Sequence, residues 1–358
     1  GSVIVFLPNI MILFLGISFL EDSGYMARAA FLMDRLMHAL GLHGKSFIPM
    51  LMGFGCSVPA IMATRTLESK RDRVMTTLLV PLMSCSARLP VYVLIAGAFF
   101  AERAGSIVFL IYVVGIVAAM LVGRLFAKTL FRSTPAPFVM ELPPYRLPTG
   151  KGLLIHMWER AKIYLQKMGG VILVASIILW FLGAFPRDKA MIETYEADIA
   201  SLRSSGQVKQ TASADALETE LHAQLIKDSY IGRAGKALHP VVKPLGFSWE
   251  MGVSLITGFV AKEVVVSTLG VLYQVEATAT NGEGSLPAAL RSPSSGVTPL
   301  GGFAFMLFVL LYTPCIVAVT AIKREVGTRW MVFSVGYQMV LAWLVSFGVY
   351  QIGTLLGL

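Results

Sequence analysis

The sequence predicts an all-α polytopic membrane protein, arranged as an inverted repeat with two re-entrant hairpins and broken transmembrane helices. Its 358 residues are 56% hydrophobic and only 14% charged, whereas soluble domains are about 25% charged. Several apolar runs approach or reach the roughly 20 residues that a helix needs to cross a bilayer. None of them alternates as a β-barrel strand does, so we expect the spans to be helices.

The clearest predicted spans are five long, predominantly apolar segments. They are Val3–Leu20, Ile107–Phe126, Gly169–Phe185, Gly301–Ile322 and Trp330–Ile352. We expect Met26–Leu40 to extend the first span as a helical continuation. The sequence opens at Gly1 and enters an apolar run without a basic leader or a small-residue cleavage site. We therefore do not interpret this run as a signal peptide, and we expect further sequence upstream of it.

The first repeat contains two interrupted segments. The hairpin has a central break at Gly53-Phe54-Gly55, and Pro81 and Pro90 interrupt the broken span. Proline removes a helical hydrogen bond and clashes with the preceding turn, so it breaks or bends a helix. The predicted first repeat covers residues 1–132, with a re-entrant hairpin at 46–67, a broken span at 74–100 and a span at 107–126.

The second repeat follows a connecting segment. Residues 133–167 are predicted as a Pro-rich connector and an amphipathic helix in the membrane interface, because Lys151–Lys167 places apolar residues among basic ones. The second repeat then covers 168–358. After its first span, the predicted parts are an extracytoplasmic polar insert at 187–243, a re-entrant hairpin at 247–272 with a break at Gly258-Phe259, and a mobile polar loop at 274–298.

The distribution of charge favours the two hairpins. The chain carries a net charge of +9, and basic loops of membrane proteins stay in the cytoplasm. If every apolar segment crossed completely, two basic loops would lie outside. If both hairpins turn back within the bilayer, the polar insert lies outside and all basic segments lie inside. These segments are Arg28–Lys45, Arg65–Arg73, Arg124–Lys167 and Lys323–Arg329.

The same arrangement indicates an internal repeat. Gly53-Phe54 in the first hairpin matches Gly258-Phe259 in the second. Cys85 follows Gly53 by 32 positions and Cys315 follows Gly258 by 57, and the difference of 25 equals the length of the loop at 274–298. Hairpins that enter the bilayer from opposite sides make an inverted repeat, which many secondary transporters use.

Helices that break within the bilayer expose backbone groups that lipid cannot satisfy, so they must line protein or a polar cavity. Half-helix ends in such a cavity can hold an ion. The predicted breaks carry Cys56, Cys85 and Cys315, and sulfur ligands suit transition metals rather than Mg²⁺ or Ca²⁺. We predict these three thiols as ligands of a transient metal site. Each thiol alone is also compatible with a packing role as a small buried hydrophobe.

Three carboxylates are further candidate metal ligands. Glu263 lies inside an apolar hairpin, where charges are rare and usually functional. A structural ion pair is the alternative, although Lys262 would point away from Glu263 on a helix. Glu21 and Asp22 end the first apolar run. They are either ligands in the pathway or ordinary helix-end charges in the interface.

Several function classes are disfavoured. The basic residues lie in short loops between spans, so we predict no nucleic-acid partner. Three cysteines inside apolar segments do not make a disulfide framework. The 358 residues contain neither a His-Glu-x-x-His zinc motif nor a Gly-x-x-x-x-Gly-Lys-[Ser/Thr] phosphate loop. We therefore predict no enzyme activity, no tightly bound cofactor and no GTP site in these residues.

Six segments resemble the sequence motifs of the FeoB family of bacterial ferrous-iron transporters. They occur in the order and at the spacing of the family, and the resemblance covers nearly the whole chain. The hairpin motifs also resemble gate segments shared with nucleoside transporters, so a nucleoside or other small-solute carrier on the same fold is the alternative. The six segments are Glu21–Phe31, Gly53–Thr66, Met83–Tyr92, Glu141–Pro148, Gly258–Val266 and Tyr312–Cys315.

The resemblance implies Fe²⁺ uptake across the bacterial cytoplasmic (inner) membrane, with Fe²⁺ as the substrate and the lipid bilayer as the surroundings. It also implies two partners, an N-terminal GTPase domain of the full-length protein, through which GTP acts, and a small FeoA-like cytoplasmic protein. A homo-oligomer is compatible with it. The positions that match the family's candidate iron ligands are Cys56, Cys85 and Cys315.

Overall fold

The computed structural model of the chain describes residues 2–131, 144–186, 192–195, 197, 199–200, 217, 220–221, 224–273, 286–292 and 295–357. Every regular element in these ranges is helical, which confirms the all-α prediction. The main helices are α1 (Ser2–Asp22), α2 (Tyr25–Ala39), α3 (Phe47–Gly53), α4 (Ser57–Ala63), α5 (Lys70–Leu79), α6 (Leu89–Phe99), α7 (Ala104–Thr129), α8 (Gly150–Ala184), α9 (Tyr230–Val242), α10 (Trp249–Val260), α11 (Val264–Leu272), α12 (Leu286–Arg291), α13 (Pro299–Leu311), α14 (Ile316–Val326) and α15 (Thr328–Leu355).

Four helical stretches in the described part of the chain are long and apolar enough to cross a membrane. They are Lys70–Phe99, Ala101–Thr129, Pro299–Val326 and Thr328–Leu355, and they confirm a multi-pass membrane protein. The apolar window of Pro299–Val326 is 83% buried, against 22% for Ala101–Thr129 and for Thr328–Leu355. Pro299–Val326 therefore fills the protein interior, whereas Ala101–Thr129 and Thr328–Leu355 leave apolar faces that can contact lipid.

The described chain divides into two compact units. The first consists of Gly1–Leu89, Leu110–Val174 and Leu310–Leu341. Lipid is as apolar as the side chains of its core, so close packing rather than transfer from water holds these helices together. The core cluster is formed by Phe14, Ile17, Met52, Val58, Ala60, Ile61, Val80, Ala161, Val317, Ala318, Ala321 and Ile322.

The first unit contains the helix pair α3–α4, which is the segment predicted as the first hairpin. Helix α3 ends at Gly53, and a turn leads to Cys56, whose backbone is extended (φ −149°, ψ 129°). Helix α4 begins at Ser57 and places Pro59 in its first turn. Proline is tolerated there because the first backbone N–H groups of a helix have no intrahelical acceptor.

The predicted breaks at Cys85 and Cys315 both lie between helical segments in the structure. Helix α5 ends at Leu79, shortly before Pro81, and the chain reaches α6 through a 3₁₀ turn and an extended stretch around Cys85. Pro81 has no N–H for the carbonyl of Thr77, so the α-helical pattern cannot continue through it. Helix α13 ends at Leu311, and α14 begins only at Ile316.

The second unit consists of Pro90–Phe109, Ala175–Val309 and Ala342–Leu358. It contains α9 and the helix pair α10–α11, which is the segment predicted as the second hairpin. The hydroxyl of Ser248 accepts the backbone N–H of Met251 and caps α10. Gly246, which precedes this cap, has a φ of +77°, and a Cβ at this position would lie 2.2 Å from the Tyr350 ring. Only glycine satisfies both conditions.

Three predictions about helix continuity are wrong in detail. Gly24 adopts a left-handed conformation (φ +78°) and separates α2 from α1, so the second helix is not a continuation of the first. The predicted interfacial helix and the following span form one 35-residue helix, α8, because Gly169-Gly170 weakens a helix without ending it. Helix α10 continues through Gly258-Phe259, and the break lies at Ala261–Glu263.

Several predicted segments fall partly outside the described residues. These are the connector from 132 to 143, most of the polar insert before 224, and the loop predicted as mobile at 274–285 and 293–294. The described remainder of that loop contains α12, in which Leu290 is fully buried. The side chain of Arg291 donates to the carbonyls of Gly97 and Ala98. This part of the predicted loop is therefore a packed helix of the second unit.

Candidate functional site

The tip of the first hairpin is a tight turn that ends in a thiol. The carbonyl of Met52 accepts the backbone N–H groups of Gly55 and Cys56, at 3.0 and 3.1 Å. Cys56 then occupies the N-cap position of α4 without a side-chain capping bond. Its thiol is free of any disulfide and half-buried. The tip therefore presents a sulfur atom next to the start of a helix.

This tip is bound to the break of the first broken span. The carbonyl oxygen of Gly55 accepts two hydrogen bonds from Ser86, one from the backbone N–H at 3.1 Å and one from the hydroxyl at 2.9 Å. A Cβ on Gly53 would lie 3.0 Å from the Cβ of Met83, so the two backbones approach closely. Gly55 precedes Cys56 and Ser86 follows Cys85, and the contact therefore brings the two thiol-bearing backbones together.

The break of the second broken span carries the third thiol in a related conformation. Cys315 has φ −58° and ψ 156°, close to the φ −72° and ψ 157° of Cys85. Each cysteine is the N-cap of the helical segment that follows it. Cys315 also packs against the same core cluster of the first unit as Cys56. All three thiols are half-buried and reduced, and all three belong to one unit.

The three thiols do not form a preformed cage. Among the described residues, no group of three His, Cys, Asp or Glu side chains is arranged to hold a metal ion. Structural metal sites are closed and nearly ideal in geometry, whereas a site on a transport route must release its ion.

Arg88 and Tyr112 border these breaks, and neither is among the predicted ligands. Arg88 is fully buried and donates to backbone carbonyls around both breaks. The Tyr112 hydroxyl is hydrogen-bonded to Ser84, and its ring stacks on Phe54 with centroids 6.2 Å apart. A charged residue in an apolar segment was a usable signal for Arg88. Nothing local marks Tyr112.

The second hairpin places charge rather than sulfur at its break. Ala261 is extended, and Lys262 and Glu263 follow before α11 begins. Lys262 is 2% exposed, and its charge acts on the partly buried carboxyl of Glu263. Neither residue lies on a helix, so the expectation that adjacent helical positions would separate them does not apply. Both belong to the second unit.

The remaining predicted ligands, Glu21 and Asp22, close α1 at its C-terminal end. Glu21 is 54% exposed and forms an ion pair with Arg160 of α8 at 2.5 Å. This exposed ion pair between two helices agrees with the second of the two interpretations of these residues, that they are ordinary helix-end charges in the interface. It is compatible with a structural role for Glu21.

The four basic segments predicted in the cytoplasm contact one another within the first unit. Lys45 pairs with Glu68 at 2.8 Å, and Arg124 donates to the carbonyl of Ala39. Arg65 and Arg73 both bind Glu325, whose side chain is only 2% exposed. These contacts bring residues of all four segments close together within the first unit.

Two family profiles match the chain, over different residues. The family profile Gate, described as nucleoside recognition, matches residues 3–99 and 165–329. The profile FeoB_C, described as ferrous iron transport protein B C terminus, matches residues 108–160. No solved structure matches the chain.

Three curated relatives illustrate the similarity. A Porphyromonas gingivalis protein named Fe(2+) transport protein A/Fe(2+) transporter FeoB fusion protein is 53% identical, over 99% of this chain and 43% of its own length. Proteins named Fe(2+) transporter FeoB from Campylobacter jejuni and Methanocaldococcus jannaschii are 42% and 41% identical, over 97% and 99% of this chain and 52% and 48% of theirs. The chain spans about half the length of these relatives.

Proposed function

Because this chain belongs to the FeoB family, as the membrane portion that carries the Gate segments, we propose that it is the path by which Fe²⁺ crosses the bacterial cytoplasmic membrane. The observation that carries the proposal is the double hydrogen bond from Ser86 to the Gly55 carbonyl. It joins a hairpin tip to a helix break beside Cys56 and Cys85. Half-helix ends and thiols at such a junction are suitable contacts for a transition-metal cation.

We assign the transient ligands to Cys56, Cys85 and Cys315. Their thiols come from three breaks of one unit, so an ion can pass from one sulfur to the next without a closed coordination shell. Fe²⁺ is a borderline cation for which thiolate is a suitable ligand, in contrast to Mg²⁺ and Ca²⁺. Glu263 is a separate contact in the second unit. Glu21 and Asp22 are weaker candidates, because Glu21 is already paired with Arg160.

The proposal includes the orientation in the membrane. Helices α3 and α4 have seven residues each, which is about 10 Å of helix and far less than the roughly 30 Å of hydrocarbon. The pair therefore enters and leaves on one side. Contacts among all four basic segments support the same conclusion, and positive loops place that side in the cytoplasm.

We further propose that this portion works with a GTPase domain and with an FeoA-like partner. The Porphyromonas gingivalis relative is named as a fusion of Fe(2+) transport protein A with Fe(2+) transporter FeoB, which supports the FeoA-like partner. These 358 residues contain no phosphate loop, so GTP chemistry belongs to the other domain, and we assign no catalysis and no resident cofactor to this portion. A homo-oligomer is compatible with the apolar faces of α7 and α15.

Uptake of radioactive ⁵⁵Fe²⁺ by cells tests the function. The full-length protein is compared with single Cys→Ser variants at 56, 85 and 315 and with the triple variant. Serine keeps nearly the volume of cysteine but is a much harder ligand, so each single change is expected to reduce uptake about tenfold or more at equal membrane expression. Uptake at the original rate by the triple variant would make the thiols packing residues.

The nucleoside alternative, which corresponds to the description of the Gate profile as nucleoside recognition, is tested in the same cells with labelled uridine. We expect no uridine uptake above background. Saturable uridine uptake without Fe²⁺ uptake would reject the iron proposal and retain the gate fold.

The orientation is tested separately by labelling single cysteines in a variant that lacks the three native ones. A cysteine at Lys70 or Arg324 is expected to react only after the membrane is permeabilised, and one at Lys236 is expected to react from outside. External reaction at Lys70 would refute the hairpin arrangement, whatever the substrate is.

A further inference from the structure

We propose that Arg88 is a positioning residue of the thiol site, and that its guanidinium holds the backbones of the two helix breaks in the register that brings their cysteines to a metal ion. This inference rests on the proposed metal site, which it deepens. It concerns a residue that touches neither the ion nor a thiol by any contact the structure shows.

The first observation is the set of acceptors. One guanidinium nitrogen of Arg88 (Nη1) donates to the carbonyls of Pro81 and Met83, at 3.2 and 3.1 Å, and the other (Nη2) donates to Pro81 at 3.1 Å. Nη2 also makes a longer contact, 3.5 Å, with the carbonyl of Tyr312. The first two carbonyls belong to the break that contains Cys85, and the third lies at the break that contains Cys315.

The second observation is the short distance along the chain from each acceptor to a thiol. Met83 is two residues before Cys85, and Tyr312 is three residues before Cys315. The backbone N–H of Arg88 itself donates to the carbonyl of Cys85 at 3.0 Å. A rotation of either break would therefore have to break a bond to Arg88 as it moved the thiol.

The third observation is the environment of the charge. Arg88 is fully buried, and no carboxylate in the described part of the chain forms an ion pair with it. Its Nε–H has no hydrogen-bond partner among those residues. Burying a charge without a paired carboxylate is expensive. A residue required only for packing would not need a buried charge, whereas breaks with several free carbonyls need a donor that reaches all of them.

The chemistry of arginine fits this task better than that of lysine. A guanidinium is planar and presents five N–H groups in a fixed fork, while an ammonium is a compact point charge on a flexible stem. The fork can bridge carbonyls on two chain segments at once. Lysine keeps the charge but is expected to hold only one of the two breaks.

Cobalt binding to the purified full-length protein tests the inference. Co²⁺ bound to thiolates absorbs in the near ultraviolet, with an intensity that increases with the number of thiolates, and this signal requires no transport. The variants are Arg88→Lys and Arg88→Gln. The matched control is Arg124→Gln, because Arg124 also donates to a backbone carbonyl of the first unit, that of Ala39, but at an exposed position.

We expect the control to bind Co²⁺ as the original protein does. Arg88→Gln is expected to lose about 10-fold to 100-fold in Co²⁺ affinity, which is the usual effect of removing a group that orients metal ligands. Arg88→Lys is expected to have an intermediate affinity with a weaker thiolate band. Affinity is measured only on protein that elutes as a single species and keeps its helical circular dichroism, so loss of folded protein is not counted as an effect.

Original affinity and band intensity in the folded Arg88→Lys variant would overturn the positioning role. If Arg88→Gln does not fold, the Arg88→Lys comparison decides alone. Absence of a thiolate band in the original protein would reject the thiol site of the proposed function, and with it this inference. A band in the original protein that Arg88→Lys leaves unchanged would reject this inference only.

Discussion

The tips of the two hairpins have the same backbone and different chemistry. Cys56 in the first tip has φ −149° and ψ 129°, and Ala261 in the second has φ −149° and ψ 127°. Each lies three residues after the glycine of a Gly-Phe pair, and the N–H of each bonds to the carbonyl four residues earlier. The repeat thus preserves the shape of the turn, and the side chains that this shape presents have diverged.

The difference indicates a division of roles between the two turns. The first tip presents a thiol and no charge, which is suitable for a transition-metal contact. The second tip replaces this thiol by a methyl group and presents Lys262 and Glu263 in the next two positions. Charges within a membrane protein are rare and usually functional. Two turns of the same shape therefore do not imply two equal metal sites, and we expect sulfur contacts in the first unit only.

The ends of the hairpins also differ in charge, but in the opposite sense to the tips. The first hairpin is followed by Arg65, which binds the buried carboxylate of Glu325. In the second hairpin, a neutral hydrogen bond 3.0 Å long joins Ser248 at the start to Tyr273 at the end. An ion pair attaches the first hairpin to α14, a different helix, whereas the neutral bond only closes the second hairpin on itself.

Exchanging the two tip residues tests the division of roles most strongly. Cys56→Ala gives the first tip the side chain of the second, and we expect Fe²⁺ uptake to fall about 100-fold, or about 2.7 kcal/mol, because a direct ligand matters more than a group that only orients one. Ala261→Cys gives the second tip a thiol, and we expect it to leave uptake unchanged. The measurement is ⁵⁵Fe²⁺ uptake normalised to membrane expression.

The double variant Cys56→Ala with Ala261→Cys distinguishes position from composition. It has the same number of thiols as the original protein and is expected to transport as poorly as Cys56→Ala alone. Recovery of uptake in the double variant would show that the two tips are interchangeable and that the asymmetry has no functional meaning.

The Gly-Phe motif predicts where the hairpin tips lie, but it misplaces the break of the second hairpin. The motif alone indicates breaks at Gly53-Phe54 and at Gly258-Phe259, but the second pair lies within α10. The pair marks the last turn of the entering helix, and the break follows at the third residue after the glycine. Proline is the local signal at both broken spans, because neither Pro81 nor Pro314, which precedes Cys315, can continue a helix.

The contacts that assemble the site could not be predicted from the sequence. The bonds from Ser86 to Gly55 and from Arg88 to Tyr312 join residues 31 and 224 positions apart. No local pattern fixes such partners, because Ser and Arg can donate to any free carbonyl that the fold brings within reach. The separation of α2 from α1 had a local signal in Ser23-Gly24, since glycine readily adopts the left-handed conformation that Gly24 shows.

Replacing the buried carboxylate of Glu325 tests how much the ion pair at the end of the first hairpin contributes to stability. Glu325→Gln removes the acceptor charge from Arg65 and Arg73, whose side chains are 47% and 33% exposed. Loss of a fully buried pair costs 3–5 kcal/mol, and the partial exposure of both arginines reduces our expectation to about 2 kcal/mol. The measurement is the midpoint of thermal unfolding in detergent at pH 7.

The exposed pair at the same end of the unit is the matched control. Glu68 is 86% exposed, and its hydrogen bond from Lys45 holds the pKa of its carboxyl below the usual value. A lowered folded pKa gives stabilisation that is present above the usual pKa and lost as the pH falls through the folded value. At pH 7 the pair is formed, yet water screens it, so Glu68→Gln is expected to leave the midpoint unchanged. Equal shifts for the two variants would contradict the assigned importance of burial.

The smallest expected effect is at the end of the second hairpin. Tyr273→Phe removes the hydroxyl that bonds Ser248, while the Ser248 hydroxyl keeps the N–H of Met251 as a partner. No buried group is left without a bond, so the cost is that of one ordinary hydrogen bond, about 1 kcal/mol. Tyr230→Phe is the control, since the Tyr230 side chain lies on the surface of the same unit with 47% exposure. If the second hairpin only closes on itself, Tyr273→Phe should lower the unfolding midpoint slightly and leave Fe²⁺ uptake unchanged. A loss of Fe²⁺ uptake in Tyr273→Phe would mean that this end of the second hairpin is coupled to transport, and would contradict a role confined to closing the hairpin.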